Sequence, residues 1–313
     1  MSSILSDRVQ KVKPSATMAV SDKAKELKSQ GIQIVSMGSG EPDFDTPANI
    51  QKAAVKAIGA GETRYTPADG TPELKKAICE NFKRENGLDY SATEVMVSCG
   101  GKQVFYNLCQ AILNEDDEVI IPTPYWVSYP DMAILADATP VFIEAGLDQD
   151  FKITPDQLEA SITPKSKLFV LNSPSNPTGS VYSRSEIIAL GEVLERHPHV
   201  LTISDDIYEH IRWGEDDFVN ITMACPNLKE RVVILNGVSK AYAMTGWRIG
   251  YAAGPEAVIK AMKKIQGQST SNPSSISQAA ALEAITGDQS FISMMGRLSC
   301  TATRNSRRCR SVR

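Results

Sequence analysis

Short apolar runs alternate with amphipathic segments between residues 94 and 253, and this alternation constrains the fold more than any other feature. The runs Leu168-Phe169-Val170-Leu171 and Val232-Val233-Ile234-Leu235 are apolar throughout, rather than at every second position. Strands of this kind are buried on both faces, which is typical of parallel sheets covered by helices. The sequence therefore predicts an α/β fold with a mostly parallel central sheet flanked by helices.

The periodicity places helices and strands along the whole chain. Helices are predicted at residues 15–30, 47–59, 72–85, 102–113, 126–137, 155–161, 183–196, 255–266 and 274–286. Strands are predicted at residues 32–37, 94–98, 117–121, 140–144, 167–171, 200–204, 231–235 and 248–253. Thr71 and Pro72 are typical N-cap and first residues of a helix.

Composition excludes several classes of function. The 313 residues carry a net charge of −4, which gives no electrostatic basis for binding nucleic acid or an anionic membrane. No apolar run has the length of a membrane span, and the first residues lack the core of a signal peptide. Six cysteines without a CxxC pair indicate a reducing, cytoplasmic location and no zinc site. Three histidines are poor material for a Ser-His-Asp or histidine–metal mechanism.

Lys240 is the first candidate catalytic residue. It follows the predicted strand 231–235, where apolar neighbours would lower the pKa of its amine and favour Schiff-base chemistry. Eight positions later, Arg248 offers a planar group suited to a phosphate. A solvated lysine and a structural arginine are the alternatives, which these two residues alone leave open.

Other polar and aromatic residues come directly after predicted strands. Gly100 and Gly101 open a helix and would form an anion site together with Lys102, although a plain tight turn is the alternative. Parallel strands bring such residues to one edge of a sheet. The remaining candidates there are Gly40, Trp126, Asn176, Asp205 and Tyr208. A lone tryptophan such as Trp126 more often packs in a core than on a ligand.

Six strings carry a family resemblance. They are Lys13-Pro14-Ser15-Ala16-Thr17, Gly40-Glu41-Pro42-Asp43-Phe44-Asp45-Thr46-Pro47, Gly100-Gly101-Lys102-Gln103, Pro124-Tyr125-Trp126-Val127-Ser128-Tyr129-Pro130, Asn172-Ser173-Pro174-Ser175-Asn176-Pro177-Thr178-Gly179 and Ser239-Lys240-Ala241-Tyr242-Ala243-Met244-Thr245-Gly246-Trp247-Arg248-Ile249-Gly250-Tyr251. Through them the sequence, from about residue 8 to about residue 291, resembles the class I aminotransferases, pyridoxal 5′-phosphate (PLP) enzymes of fold type I. The bacterial aspartate/prephenate aminotransferases are the branch it resembles most.

The resemblance implies a role for each residue that would contact the PLP ring. Lys240 would form the Schiff base and move the proton at the substrate α-carbon. Asp205 would pair with the ring nitrogen, and Tyr208 and Asn176 would contact the 3′-oxygen. Trp126 would stack on the ring and border the substrate.

The resemblance also implies contacts to the phosphate and the substrate. Arg248 and the amides of Gly100, Gly101 and Lys102 would hold the phosphate, with Tyr65 supplied by the neighbouring subunit of a homodimer with shared sites. Gly40 and Asn176 would bind the substrate carboxylate. Lys13 would contact the second carboxylate of prephenate, with a solvated lysine as the alternative.

The resemblance divides the chain into three parts. Residues 1–45 would belong to a small domain, and residues 46–291 would form the PLP-binding large domain. Residues 292–313 are expected to form an aberrant basic tail without fixed structure, because the stretch from Ser293 onward lacks acidic residues and an apolar period. A frameshift is the favoured explanation, and a nucleic-acid-binding tail is the alternative.

In the family, the region beyond residue 291 supplies most of the small domain and an arginine that binds the substrate α-carboxylate. The small domain is therefore expected to be largely missing from this chain, and the arginine to be absent. The expected function is transamination between L-aspartate or L-glutamate and a 2-oxo acid such as 2-oxoglutarate, oxaloacetate or prephenate. One alternative is a truncated, catalytically impaired remnant that binds PLP. A PLP-dependent lyase on the same fold is the other.

Overall fold

A single sheet organises the fold. The computed structural model describes residues 4–14, 16–35, 40–212 and 217–296. Its strands are β1 (Val95–Ser98), β2 (Glu118–Thr123), β3 (Thr139–Glu144), β4 (Ser166–Asn172), β5 (Leu201–Asp205), β6 (Val232–Gly237) and β7 (Gly250–Ala253). They are ordered β1-β7-β6-β5-β4-β2-β3. Only the pairs that involve β7 are antiparallel, so the prediction of a mostly parallel sheet is confirmed.

Helices connect the strands and cover both faces of the sheet. They are α1 (Asp7–Lys11), α2 (Ala16–Ser29), α3 (Ala48–Gly59), α4 (Pro72–Asn81), α5 (Gly101–Ile112), α6 (Ser128–Leu135), α7 (Pro155–Ser161), α8 (Arg184–Arg196), α9 (Ile221–Ala224), α10 (Glu256–Ser269) and α11 (Ser275–Thr286). The prediction for residues 72–85 corresponds to α4 and a π-helical turn at Phe82–Asn86. Thr71 caps α4 as expected, because its side chain accepts a hydrogen bond from the amide of Leu74 at 3.4 Å.

Side chains of each central strand enter two apolar layers. In β6, Val232 and Ile234 pack into the layer on one face of the sheet, whereas Val233 and Leu235 pack into the layer on the other. All six residues of β6 are buried. This burial on both faces explains why the strand is apolar at consecutive positions, and it fixes the strand ends from which the site is built.

Three predictions differ from the structure. Residues 32–35 of the predicted strand 32–37 form no strand, and Val35 is 89% exposed, so the apolar run has no partner strand; residues 36–37 lie outside the described part. The strand predicted at residues 248–253 begins only at Gly250, because Arg248 has a left-handed backbone. Residues 290–296 are helical with Met295 buried, so order extends past the boundary predicted at residue 291.

The rest of the predicted tail, residues 297–313, lies outside the described residues. No helix in the described part of the chain is long and apolar enough to cross a membrane. Within the same residues, no group of three or more His, Cys, Asp or Glu side chains is arranged to hold a metal ion.

Candidate active site

A cavity of about 690 Å³ opens at the carboxyl ends of β4, β5 and β6. Strand ends and the turns that follow them supply most of its lining, as expected for an α/β sheet. Among the residues predicted from the sequence, the lining includes Gly40, Gly101, Lys102, Trp126, Asn176, Asp205, Tyr208, Lys240 and Arg248. One cavity thus gathers groups that lie far apart in the chain.

The first turn of α5 forms one wall of the cavity. Gly100 is the N-cap of α5 and has a φ of 84°, which favours glycine. A Cβ atom at this position would lie 2.8 Å from Cζ of Arg248, so the glycine leaves room for the guanidinium. Arg248 donates to the carbonyl oxygens of Thr245 at 2.9 Å and Cys99 at 3.4 Å. A guanidinium beside a helix N-terminus is a suitable binding site for a phosphate group.

Lys240 projects its amine toward the segment that begins at Gly40. Its Nζ atom donates to the carbonyl oxygen of Gly40 at 2.5 Å and lies 5.8 Å from the centre of the Tyr208 ring. Burial lowers the pKa of this amine; the charge of Glu41 opposes the shift, and that of Arg248 adds to it. A lowered pKa increases the neutral fraction, which is the nucleophilic form.

Asp205 is the buried acid of the site. Its side chain is 4% exposed, and its Oδ2 atom accepts a hydrogen bond from the Tyr129 hydroxyl at 2.5 Å. Its Oδ1 atom accepts from the amide of Ile207 at 3.3 Å. Burial raises the pKa of Asp205 to about 6, although both hydrogen bonds favour the charged form. The carboxyl group is thus ionised at neutral pH despite its apolar surroundings.

Tyr208 and the loop after β4 both interact with Asp205. Burial, followed by the charge of Asp205, raises the pKa of Tyr208 to about 12, and a hydrogen bond with Asn176 opposes this rise. Asn172 accepts from the amide of Asn176 at 2.8 Å and donates to the carbonyl oxygen of Asp205 at 3.0 Å. Asn172 therefore fixes the loop that carries Asn176 against the end of β5.

Trp126 lies half-buried in the loop that leads from β2 to α6. Its ring meets that of Tyr129 edge to face, with centroids 5.2 Å apart, and Nζ of Lys102 lies 5.2 Å from its centroid. The indole therefore borders the cavity without being enclosed in the core.

Gly100 is not itself a lining residue but lies against Arg248, which is one, whereas two other predicted site residues lie apart from the cavity. The side chain of Tyr65 is 92% exposed, and Lys13 is exposed as well; neither lines the cavity. Sequence reasoning also missed lining residues, of which Tyr129 and Asn172 make the contacts described above. Tyr129 follows Trp126 by three positions, and in the predicted helix 126–137 this spacing would place both side chains on the same face. That spacing could have identified Tyr129 as a site residue.

Comparison with known proteins identifies the family. The profile of the family "Aminotransferase class I and II" matches residues 32–311, so the chain belongs to this family and is a transaminase. It is 59% identical over 288 residues to the aspartate/prephenate aminotransferase of Cereibacter sphaeroides, covering 92% of this chain and 72% of that protein. The protein of the same name from Nitrosomonas europaea is 59% identical over 286 residues, with coverages of 91% and 72%.

Solved structures agree with this assignment and with the predicted fold. The crystal structure of the aspartate aminotransferase from Rhizobium meliloti matches with a TM-score of 0.91 at 49% identity, covering 94% of this chain and 73% of the other. The aspartate aminotransferase from Thermus thermophilus with maleate matches with a TM-score of 0.90 at 45% identity and coverages of 94% and 76%. The fold is therefore that of these aspartate aminotransferases, matched over about three quarters of their length.

Proposed function

We propose that the cavity binds PLP and that the chain transfers an amino group between L-aspartate or L-glutamate and a 2-oxo acid. The observation that carries the proposal is the convergence of Lys240, Asp205 and Arg248 on one cavity at the sheet edge. Membership of the aminotransferase family supports PLP as the cofactor. When bound, PLP supplies an electron-withdrawing ring that stabilises negative charge at the substrate α-carbon.

The donor set fits this cofactor. Arg248 and the N-terminus of α5, which begins with Gly101 and Lys102, would hold the phosphate. The missing Cβ of Gly100 is what allows the guanidinium to share this position. Trp126 would cover one face of the ring, as aromatic side chains do with flat ligands.

The polar residues at the ends of β4 and β5 would orient the ring. Asp205 would face its nitrogen, because a buried carboxylate stabilises a positive charge placed beside it. Tyr208 and Asn176, which lie close enough that Asn176 lowers the pKa of the phenol, would contact the 3′-oxygen. These contacts would fix both the charge and the orientation of the ring.

Lys240 would act both as the attachment point and as the group that moves the proton at the substrate α-carbon. Its lowered pKa supports this role, since a general base works best when its pKa lies near the operating pH. The carbonyl oxygen of Gly40 holds Nζ at 2.5 Å within the cavity. Gly40 and Asn176 would bind the substrate carboxylate beside this amine.

Adding PLP and then L-aspartate to the purified chain tests this function. We expect a visible absorbance band on adding PLP, loss of the band on adding L-aspartate, and no band for Lys240→Ala. Lys260→Ala, an exposed α10 lysine paired with Glu256, is the matched control and should behave like wild type. A band that L-aspartate leaves unchanged would refute catalysis, and a folded chain without a band would refute PLP binding.

A dicarboxylate substrate is supported by the names of the relatives. Two relatives are called aspartate/prephenate aminotransferases, and one related structure contains maleate. We propose that Lys13 contacts the second carboxylate of prephenate specifically. Lys13→Ala should raise KM for prephenate more than for 2-oxoglutarate, because only an acceptor-specific contact would distinguish them. Lys28→Ala, another exposed lysine, is the control, and equal effects on both acceptors would contradict the role.

Homodimer formation is supported by the position of Tyr65. Gln278 fixes the flanking loop by donating to Thr66 Oγ1 at 2.9 Å and accepting from the amide of Thr71 at 2.8 Å. The loop is therefore held while Tyr65 itself stays 92% exposed. We propose that Tyr65 completes the phosphate site of a second copy.

Mixing Tyr65→Ala chains with Lys240→Ala chains tests this sharing. Mixed dimers would contain one site with both native residues, so activity should return on mixing. Activity that stays absent after mixing would contradict the shared site.

The domain division and the location of the chain are also proposed. Residues 46–291 would form the PLP-binding large domain, with residues 1–45 belonging to a small domain. A reducing cytoplasm is supported by the free thiols of the cysteines in the described residues: Cys79, Cys99, Cys109 and Cys225. Limited proteolysis, which cuts at exposed segments between domains, would test the boundary near residue 45.

A further inference from the structure

Tyr129 lines the cavity beside Asp205 and is almost fully buried. Tyr129 is 2% exposed, and its hydroxyl donates to Oδ2 of Asp205 at 2.5 Å. The two residues are 76 positions apart, with Tyr129 on α6 and Asp205 at the end of β5. Among the described residues, this is the one hydrogen bond from a side chain to the Asp205 carboxylate, since Asn172 donates to the backbone carbonyl oxygen instead.

The position of the hydroxyl is fixed by the packing of its ring. Tyr129 contacts Phe105 with ring centroids 4.9 Å apart and meets Trp126 edge to face at 5.2 Å. Burial raises the pKa of the Tyr129 phenol well above its ordinary value, so the hydroxyl keeps its proton and remains a donor. A held donor of this kind stabilises the charged form of its acceptor.

We propose that Tyr129 is a positioning residue that keeps Asp205 ionised and oriented toward the cavity, so that the ring nitrogen of PLP stays protonated. The inference rests on the proposed PLP site and adds a residue to it. Without the phenol, Asp205 would be a stronger base and would draw the ring proton toward itself. The proton remains within the pair, and only its position changes.

Other charged and titratable groups surround Asp205 without replacing this contact. Tyr208 lies beside it in the turn after β5, where the charge of Asp205 raises the pKa of the phenol, but among the described residues no hydrogen bond joins the two side chains. The neighbouring Asp206 turns away, since its oxygens accept from Ser204 at 2.6 Å and Asn220 at 2.7 Å.

The cavity also contains three cationic side chains: Lys102, Lys240 and Arg248. Lys240 donates to Gly40, and Arg248 donates to Thr245 and Cys99. Lys102 lies over Trp126. The side-chain hydrogen bond that stabilises the charged form of Asp205 therefore comes from Tyr129.

The test uses PLP labelled with ¹⁵N at the ring nitrogen, bound to wild type, Tyr129→Phe and Tyr182→Phe. The ¹⁵N shift of wild type should report a protonated nitrogen. In Tyr129→Phe it should move toward the unprotonated value, and PLP should bind about 10-fold more weakly, since a hydrogen bond to a charge is lost. Tyr182→Phe is the matched control, because its buried hydroxyl accepts from Ile153 at 2.8 Å, away from the cavity.

A second variant covers the case in which Tyr129→Phe does not fold. Incorporating 3-fluorotyrosine at position 129 keeps the ring and the hydroxyl but makes the phenol a stronger donor. The ¹⁵N signal should then stay at the protonated value or move further in that direction. A shift toward the unprotonated value would contradict the role.

The outcomes separate this inference from the proposed function. A Tyr129→Phe chain that binds PLP with the wild-type ¹⁵N shift and affinity would overturn the positioning role and leave the PLP site intact. A wild-type chain that binds no PLP would overturn the proposed function, and the role of Tyr129 with it.

Discussion

Replacing Asp205 with asparagine should stabilise the chain in the absence of PLP. The carboxylate is 4% exposed, and at neutral pH it carries a charge in an apolar environment. Asparagine has the same shape and carries no charge. Its one side-chain oxygen can accept the 2.5 Å hydrogen bond from Tyr129, and only the longer 3.3 Å bond from the Ile207 amide is lost. Asp205 therefore lowers the stability of the folded chain as long as no PLP is bound.

The magnitude follows from the pKa of Asp205. Burial raises this pKa from 3.8 to about 6, so the folded chain binds more protons than the unfolded chain between these values. Stability therefore falls as the pH rises through this window, and the loss above pH 6 amounts to about 3 kcal/mol. Asp205→Asn should recover most of this free energy at pH 7.5 and almost none at pH 3.8.

Urea unfolding of both chains without PLP measures this effect. The unfolding free energies should converge as the pH falls toward 3.8 and separate by about 2 to 3 kcal/mol at pH 7.5. Saturating PLP should reverse the order, because binding to the folded state stabilises wild type more. An asparagine variant that is less stable than wild type at pH 7.5 without PLP would show that the buried charge of Asp205 does not destabilise the chain.

Three further predictions concern Asp69, Gly100 and Arg231. Burial raises the pKa of Asp69, but the hydrogen bonds from Lys75 and Lys263 outweigh it and lower this pKa overall. The stabilising effect is therefore present above the unfolded pKa and is lost as the pH falls through the folded value, so Asp69→Asn should lower the urea midpoint at pH 7.5 by an amount that shrinks as the pH falls below 3.8. Gly100→Ala should weaken PLP binding about 10-fold by titration, because a left-handed backbone costs about 1 to 2 kcal/mol in alanine and Cβ meets Arg248, whereas Gly267→Ala meets no atom within 4 Å and should bind normally. Arg231→Met should lower the unfolding free energy by about 1 to 3 kcal/mol, because Arg231 donates to three carbonyl oxygens between the end of α8 and the start of β5; an unchanged free energy would contradict this.

The strands and their ends could be predicted because their physical cause is local. β6 is apolar at consecutive positions since both of its faces are buried, and Lys240 follows directly after it in the sequence. The run at residues 32–35 misled the same reasoning, because a strand also needs a partner and Val35 is 89% exposed. The composition of a short apolar run does not show whether a neighbouring strand pairs with it.

The contacts between elements were beyond sequence reasoning. The hydrogen bond from Tyr129 to Asp205 depends on how α6 packs under the sheet edge, which no local pattern encodes. The φ of 56° at Arg248 is uncommon for a residue with a side chain, and propensities therefore predicted a strand there. Both features concern the geometry of the site, whereas its residue types were largely predictable.

We propose that Lys240 attaches PLP in this cavity. Borohydride reduction of the chain with PLP, followed by peptide mapping, identifies the attachment point, because reduction makes the bond permanent. We expect one modified peptide, the one containing Lys240, and no modification at this peptide in Lys240→Ala. A folded chain that carries the label on another lysine, or on none, would show that Lys240 does not attach PLP.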